Sequence, residues 1–212
     1  MNNKKKYLST ASISDILDSK GYKNQMLDIS IKPNFIEAKI FGKAKIISIK
    51  PIKDNNYKEV YKGLYFLESL KEGEILIVAN GFRDYAFFGE LMSTLAKSKK
   101  VEGAIIDGCT RDKLETVKLK FPVFSKGNIA RDIKNRGIID KVDLDSARIS
   151  DVSVNKGDYL FGDADGVIVI PKNISTEVIE KAIKSYELER KIKEDIKNGI
   201  SVDDLLKRHG EF

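Results

Sequence analysis

Between Glu74 and Phe124 the chain alternates between short apolar runs and helix-like segments, and this alternation restricts the fold more than any other feature. Glu74-Ile75-Leu76-Ile77-Val78-Ala79 reads as a strand, and Gly89 opens a helix that runs to about Lys99. Gly103-Ala104-Ile105-Ile106-Asp107 is the next strand, a helix of Arg111 to Lys120 follows, and Pro122-Val123-Phe124 begins a third strand. Strands separated by helices in this way pair in parallel through right-handed crossovers. The loops that follow them open on one edge of the sheet, so residues distant in sequence become neighbours there.

The flanking segments read differently. Ser9 and Thr10 supply capping hydroxyls, Ile13, Ile16 and Leu17 follow at helical spacing, and Gly21 is a stop. Ala38 to Ile52 is extended, with Gly42 as a bulge candidate and Pro51 closing it. Val60, Leu64, Leu67 and Leu70 line one stripe of a helix from about Lys58 to Leu70. From Gly137 to Pro171 the pattern changes to short extended pieces, Ala147 to Val154, Asp158 to Phe161 and Gly166 to Ile170, with the antiparallel look of turn-linked strands. A long amphipathic helix from about Ser175 to Asn198 ends at Gly199, and Ser201 caps a last short one. No repeat or composition break divides the 212 residues, which predicts one domain over 1–212 with a C-terminal helical extension from about 173 to 212.

Composition narrows the function classes. The net charge of +6 invites a nucleic-acid reading, but the lysines are interleaved with acids, as in Glu187-Leu188-Glu189-Arg190-Lys191, and no aromatic-plus-basic platform accompanies them. No apolar run is long enough to span a bilayer, and no secretory pattern follows the basic start. The single cysteine, Cys109, allows no internal disulfide and fits a cytoplasmic protein. With one histidine, His209, any metal must be held by oxygen ligands, which favours magnesium or manganese over zinc.

The densest chemistry lies at two strand-to-helix junctions, with twenty residues between Glu90 and Arg111. Arg111 either grips a carboxylate with its planar fork or pairs on the surface with Glu115. Asp112 and Glu90 each have two readings as well: an acid that complements a helix N-terminus, or a ligand or base beside a cation. The free amides of Leu91 and Met92, behind Gly89, would face an anion. Cys109 lacks a nearby base and reads as non-catalytic. Asp163-Ala164-Asp165-Gly166 is a turn, since the rest of a calcium loop is missing, and no glycine-rich phosphate loop follows any strand.

Phe88-Gly89-Glu90-Leu91, the twenty-residue interval and Asp107-Gly108-Cys109-Thr110-Arg111-Asp112-Lys113-Leu114-Glu115 resemble the class II pyruvate aldolases acting on 4-hydroxy-4-methyl-2-oxoglutarate. That family shares its fold with the regulator of ribonuclease E activity, and Ser14-Asp15-Ile16-Leu17-Asp18, Phe121-Pro122-Val123-Phe124-Ser125-Lys126-Gly127 and Gly162-Asp163-Ala164-Asp165-Gly166-Val167 extend the likeness over most of the chain. The resemblance implies an α/β, RraA-like swivelling β/β/α fold: one domain with central parallel strands, an antiparallel portion and helices at both termini. It also implies trimers or hexamers with shared active sites and a small 2-keto acid substrate, while the charge and apolar patterns above predict no nucleic-acid or membrane partner.

By that likeness Asp112 is the direct ligand of magnesium or manganese, Glu90 holds metal-bound waters, and Glu115 is a further candidate ligand. Arg111 contacts the pyruvyl oxygens, and the helix start formed by Gly89, Leu91 and Met92 holds the substrate carboxylate. A carboxylate from a neighbouring subunit's C-terminal helix is expected to complete the site, Glu189 fitting best and Glu187 being its rival. The implied activity is retro-aldol cleavage to pyruvate through an enolate, with oxaloacetate decarboxylation as a second reaction. A non-catalytic ribonuclease regulator is the alternative, and the retained acids Glu90, Asp112 and Glu115 argue for the enzyme.

Overall fold

The computed structural model describes residues 4–52 and 57–210. The N-terminal hydroxyls act as their spacing predicts: the Ser9 side chain accepts the Ser12 amide at 3.2 Å and starts α1 (Thr10–Ser19), and Gly21, with φ 84°, lies past its end. β1 (Lys32–Pro33) precedes the long strand β2 (Ile40–Pro51). The bulge expected at Gly42 is not there. Gly42 pairs in register with Leu160, and the irregularity falls between Ser48 and Ile49, where β2 takes an antiparallel partner in place of its parallel one. The helix expected from Lys58 starts as a 3-10 turn, Tyr57–Tyr61, and continues as α2 (Lys62–Ser69).

Next come β3 (Glu74–Ala79), the unexpected short strand β4 (Ala86–Phe88), α3 (Glu90–Ser98), β5 (Gly103–Thr110), α4 (Lys113–Lys118) and β6 (Val123–Asn128). β5 therefore runs past Asp107 to Thr110, and α4 begins at Lys113 rather than Arg111. Strand pairing is the reason. Cys109 and Thr110 pair with Ala86 and Phe88 of β4 on one side and with Gly127 and Asn128 of β6 on the other, so the sheet satisfies their backbone before a helix can begin.

The remaining elements are β7 (Gly137–Lys141), β8 (Ser146–Ile149), β9 (Val152–Asn155), β10 (Tyr159–Asp163), β11 (Gly166–Ile170), α5 (Ser175–Lys197) and α6 (Val202–His209). The single extended piece expected over Ala147 to Val154 is a hairpin, because the chain reverses at Ser150 with φ 53° and β8 pairs antiparallel with β9. Ser201 caps α6 by accepting the Asp204 amide at 3.2 Å.

β2, β3, β5 and β6 lie side by side and parallel in chain order, as the alternation predicts. β10 and β11 extend the sheet antiparallel beyond β2, and β1 pairs antiparallel with β6 at the opposite edge. The segment before β1 links the two edges: the Leu27 amide donates to the Val167 carbonyl and the Val169 amide to the Gln25 carbonyl, both at 2.9 Å. The result is a nearly closed mixed sheet with helices at both ends of the chain. Alternate residues of the strands serve opposite faces. Leu76, Val78, Ala104 and Ile106 pack with Leu67 of α2 and with Met92 and Ala96 of α3. Ile75, Ile77 and Ile105 instead pack with Ile149, Val152 and Val154 of the β8–β9 hairpin. A third cluster joins Ile13, Leu17, Val178 and Ala182 of α1 and α5 to Phe41, Phe161 and Ile168. Each such aliphatic side chain, fully buried, contributes about 1.5–3 kcal/mol, so the layers are held mainly by apolar burial.

One buried carboxylate fixes where α1 meets the sheet. Asp163 Oδ1 accepts the Thr10 hydroxyl at 2.7 Å and the Asp165 amide at 3.1 Å, while Oδ2 accepts the Thr10 amide at 3.0 Å. Asp163→Ala strands the buried Thr10 donors and is expected to cost about 2–4 kcal/mol, measured as the shift of the urea unfolding midpoint. Asp163→Asn, which keeps one acceptor, should lose less.

Candidate active site

Three successive exits from the parallel strands meet at one edge of the sheet. Gly89 and Glu90 follow β4, Arg111 and Asp112 follow β5, and Asp132 lies in the segment after β6. The Arg111 amide donates to the Phe88 carbonyl at 3.0 Å, and this bond sets the two helix-opening turns side by side. Asp112 has a left-handed backbone, with φ 57° and ψ 41°, a conformation that aspartate tolerates better than most residues. Its side chain does not cap its own helix. It turns back, and Oδ2 accepts the Glu90 amide at 3.2 Å, so Asp112 caps α3 instead. Gly89 makes this approach possible: a Cβ at that position would stand 2.5 Å from Asp112 Oδ2 and 3.0 Å from Arg111 Cγ.

Arg111 does not pair with Glu115, the surface partner its spacing offers. Its Nη1 donates to Asp132 Oδ2, and its Nε lies 3.4 Å from Asp112 Oδ2. Glu115 instead binds Lys118, Oε1 to Nζ at 2.7 Å, one turn along the exposed side of α4, and does not line the cleft. Glu90, Leu91 and Met92 line the cleft with Gly89, Arg111, Asp112 and Asp132. The facing wall is apolar, formed by Val60, Tyr61, Leu64, Phe87 and Ile133. The Leu91 and Met92 amides are first-turn donors, which helix geometry leaves without an intrahelical acceptor. Asp112 Oδ1 has no hydrogen-bond partner among the described residues. Among those residues no three His, Cys, Asp or Glu side chains form a ready-made metal cage.

Glu189 and Glu187 lie on α5, away from this cleft, and Glu189 binds Lys193 at 3.0 Å. Within one chain they do not meet the other site residues. Asp132 is the cleft carboxylate that the sequence did not flag. The sequence marks only the start of the third strand, Pro122-Val123-Phe124; β6 runs on to Asn128, and the segment after it carries Asp132 to the same edge as Arg111. An Asx pattern is the usable signal: Asp132 Oδ1 accepts the Lys134 amide at 2.7 Å.

A family model described as RraA-like, Aldolase/RraA, matches residues 10–169, and the chain belongs to that family. An uncharacterised protein of Methanocaldococcus jannaschii is 37% identical over 180 residues, covering 83% of this chain and 82% of its own. A Halalkalibacterium halodurans protein named "Putative 4-hydroxy-4-methyl-2-oxoglutarate aldolase" is 30% identical over 178 residues, covering 84% of this chain and 79% of its own. The solved structure of Streptomyces coelicolor RraAS2, described as an unusual member of the RNase ES inhibitor RraA protein family, aligns with a TM-score of 0.78 at 20% identity over 89% of this chain and 93% of that one. That last likeness concerns the fold alone. Among the described residues no helix is long and apolar enough to cross a membrane.

Cys109 sits behind the site rather than in it. Burial pushes its thiol above the ordinary cysteine value; Arg83 opposes that shift and Asp84 adds to it. Its Sγ–H donates to the Arg83 carbonyl at 3.2 Å. A thiol held in this way is a poor nucleophile. Labelling of the folded protein by a maleimide or disulfide reagent at pH 8 is expected to run at least about tenfold slower than in urea.

Proposed function

We propose that this chain is a divalent-cation-dependent lyase that releases pyruvate from 2-keto acids of the 4-hydroxy-4-methyl-2-oxoglutarate type and also decarboxylates oxaloacetate. The observation that carries the reading is the bond from the Glu90 amide to Asp112 Oδ2, which brings an arginine, two acids and a helix start to one cleft. The name borne by the Halalkalibacterium halodurans relative supports the substrate class.

Each residue has a role that follows from its position. The first-turn amides of Leu91 and Met92 bind the substrate carboxylate, helped by the positive end of the α3 dipole. Arg111 directs its remaining N–H donors at the pyruvyl oxygens and stabilises the negative charge that grows there as the C–C bond breaks. Glu90, at the rim, takes the proton of the 4-hydroxyl in the aldol cleavage through water; oxaloacetate, which loses carbon dioxide, requires no such transfer. The apolar wall of Val60, Leu64, Phe87 and Ile133 excludes water from the enolate face.

The donor set fits magnesium or manganese. Such a cation takes oxygen ligands, keeps several waters and needs only one or two carboxylates from the protein. Asp112, through its unpaired Oδ1, would hold it directly and Glu90 through water; when bound, it supplies Lewis-acid stabilisation of the enolate oxygen. Glu115, occupied by Lys118, is the weakest of the proposed ligands. Leu91 and Leu114, 79% and 74% exposed at the starts of α3 and α4, are apolar side chains suited to cover by a neighbouring copy. A trimer or hexamer that buried them would allow α5 of one copy to bring Glu189 or Glu187 to the cleft of the next.

The test is coupled pyruvate detection with oxaloacetate and 4-hydroxy-4-methyl-2-oxoglutarate. The expected result is release that needs magnesium or manganese and stops with chelator. Arg111→Ala should lower turnover by roughly 10²- to 10³-fold, about 2.7–4 kcal/mol of transition-state stabilisation. Metal-independent inertness toward every 2-keto acid, with capture of a ribonuclease instead, would favour a contact regulator on the same scaffold.

A further inference from the structure

Arg111 is flanked by two carboxylates, and they compete for it. Asp112 Oδ2 already lies 3.4 Å from Nε, so an unrestrained guanidinium could fold onto Asp112 and engage both of its oxygens. Asp132 stands on the other side and takes Nη1. We propose that Asp132 is a positioning residue that keeps the Arg111 guanidinium, whose Nε already faces Asp112 Oδ2, from closing onto both Asp112 oxygens. The clamp leaves Asp112 Oδ1 unpaired and turns the remaining Arg111 donors toward a carboxylate-bearing 2-keto ligand. This inference rests on the lyase reading above and adds a residue to it.

The clamp is built from fixed parts. The Asp132 carboxylate is immobilised by the Lys134 amide at 2.7 Å. Its backbone is locked to β4 on both sides: the Ala86 amide donates to the Arg131 carbonyl at 2.8 Å, and the Ile133 amide donates to the Ala86 carbonyl at 3.0 Å. Arg136 Nη1 donates to the Asp132 carbonyl at 3.0 Å. On the other side, Arg111 is held at its backbone by Phe88. An ordinary surface ion pair gains little because it must order two free side chains. Here one partner is ordered before the pair forms, so the contact costs less entropy and fixes direction more firmly. A guanidinium has five N–H donors; after Nη1 serves Asp132 and Nε faces Asp112, the second Nη1 hydrogen and both on Nη2 remain for a ligand.

The experiment is a double-mutant cycle on the full chain with Asp132→Asn and Arg111→Ala. Asparagine keeps the shape and the acceptor for the Lys134 amide, so the melting temperature should stay within a few degrees of wild type. Two readouts are taken with magnesium present: kcat/KM for oxaloacetate, and calorimetric affinity for oxalate, a planar dianion that resembles the pyruvate enolate. Asp132→Asn alone is expected to lower kcat/KM by roughly 10- to 100-fold and to weaken oxalate, and to do neither once Arg111 is alanine. Unchanged kcat/KM and oxalate affinity in Asp132→Asn, or an equal loss in the Arg111→Ala background, overturns the clamp, because an effect that persists without the guanidinium is structural. Wild-type protein that releases no pyruvate refutes the lyase reading separately. The oxalate cycle then decides the clamp by itself, with coupling supporting it and additivity overturning it.

Discussion

The site depends on one carboxylate that points the wrong way for its own helix. Asp112 adopts a left-handed backbone, leaves the start of α4 uncapped by its side chain and crosses to the Glu90 amide. That crossing ties two turns, with twenty residues between Glu90 and Arg111, into one rigid corner. It also explains Gly89: any side chain there would occupy the space that the carboxylate and the Arg111 stem need. The geometry is local, but it requires β4 and β5 to be adjacent and parallel, and the sheet supplies that.

The sheet makes this corner through repetition. Three parallel strands end at the same edge and deliver four charged groups to it: Glu90 by way of β4, Arg111 and Asp112 from β5, Asp132 from β6. Apolar layers on both faces of β3 and β5 hold those ends in register. Burial on this scale makes the strand ends stiff, and stiffness is what a site that must aim an arginine requires. The antiparallel half of the sheet and the terminal helices close the barrel-like layer and leave the cleft edge open.

The mouth carries charge of both signs, with carboxylates in the majority. One guanidinium stands between Asp112 and Asp132, with Glu90 at the rim. On the proposed reading, the excess carboxylates attract the cation, and the guanidinium with the α3 amides meets the anionic substrate. The apolar facing wall limits solvent on one side of these partly exposed contacts.

Much of this was legible in the residues. The β-branched runs and helix-spaced stripes between Glu74 and Phe124 determine parallel strands with a shared edge, because alternation of this kind has few other solutions, and they place Glu90 near Arg111 and Asp112. Family membership also follows from motifs present in the chain, which the match over residues 10–169 bears out. Tertiary structure alone decided the rest. Strand pairing with β4 and β6 extended β5 to Thr110 and moved the helix start past Arg111, since long-range partners satisfied backbone groups that local propensity assigned to a helix. The same extension of β6 brought in Asp132 and gave Arg111 a partner other than Glu115. Local patterns determine which segments are strands or helices; the direction of a side chain at a strand's end depends on neighbours contributed by distant parts of the chain.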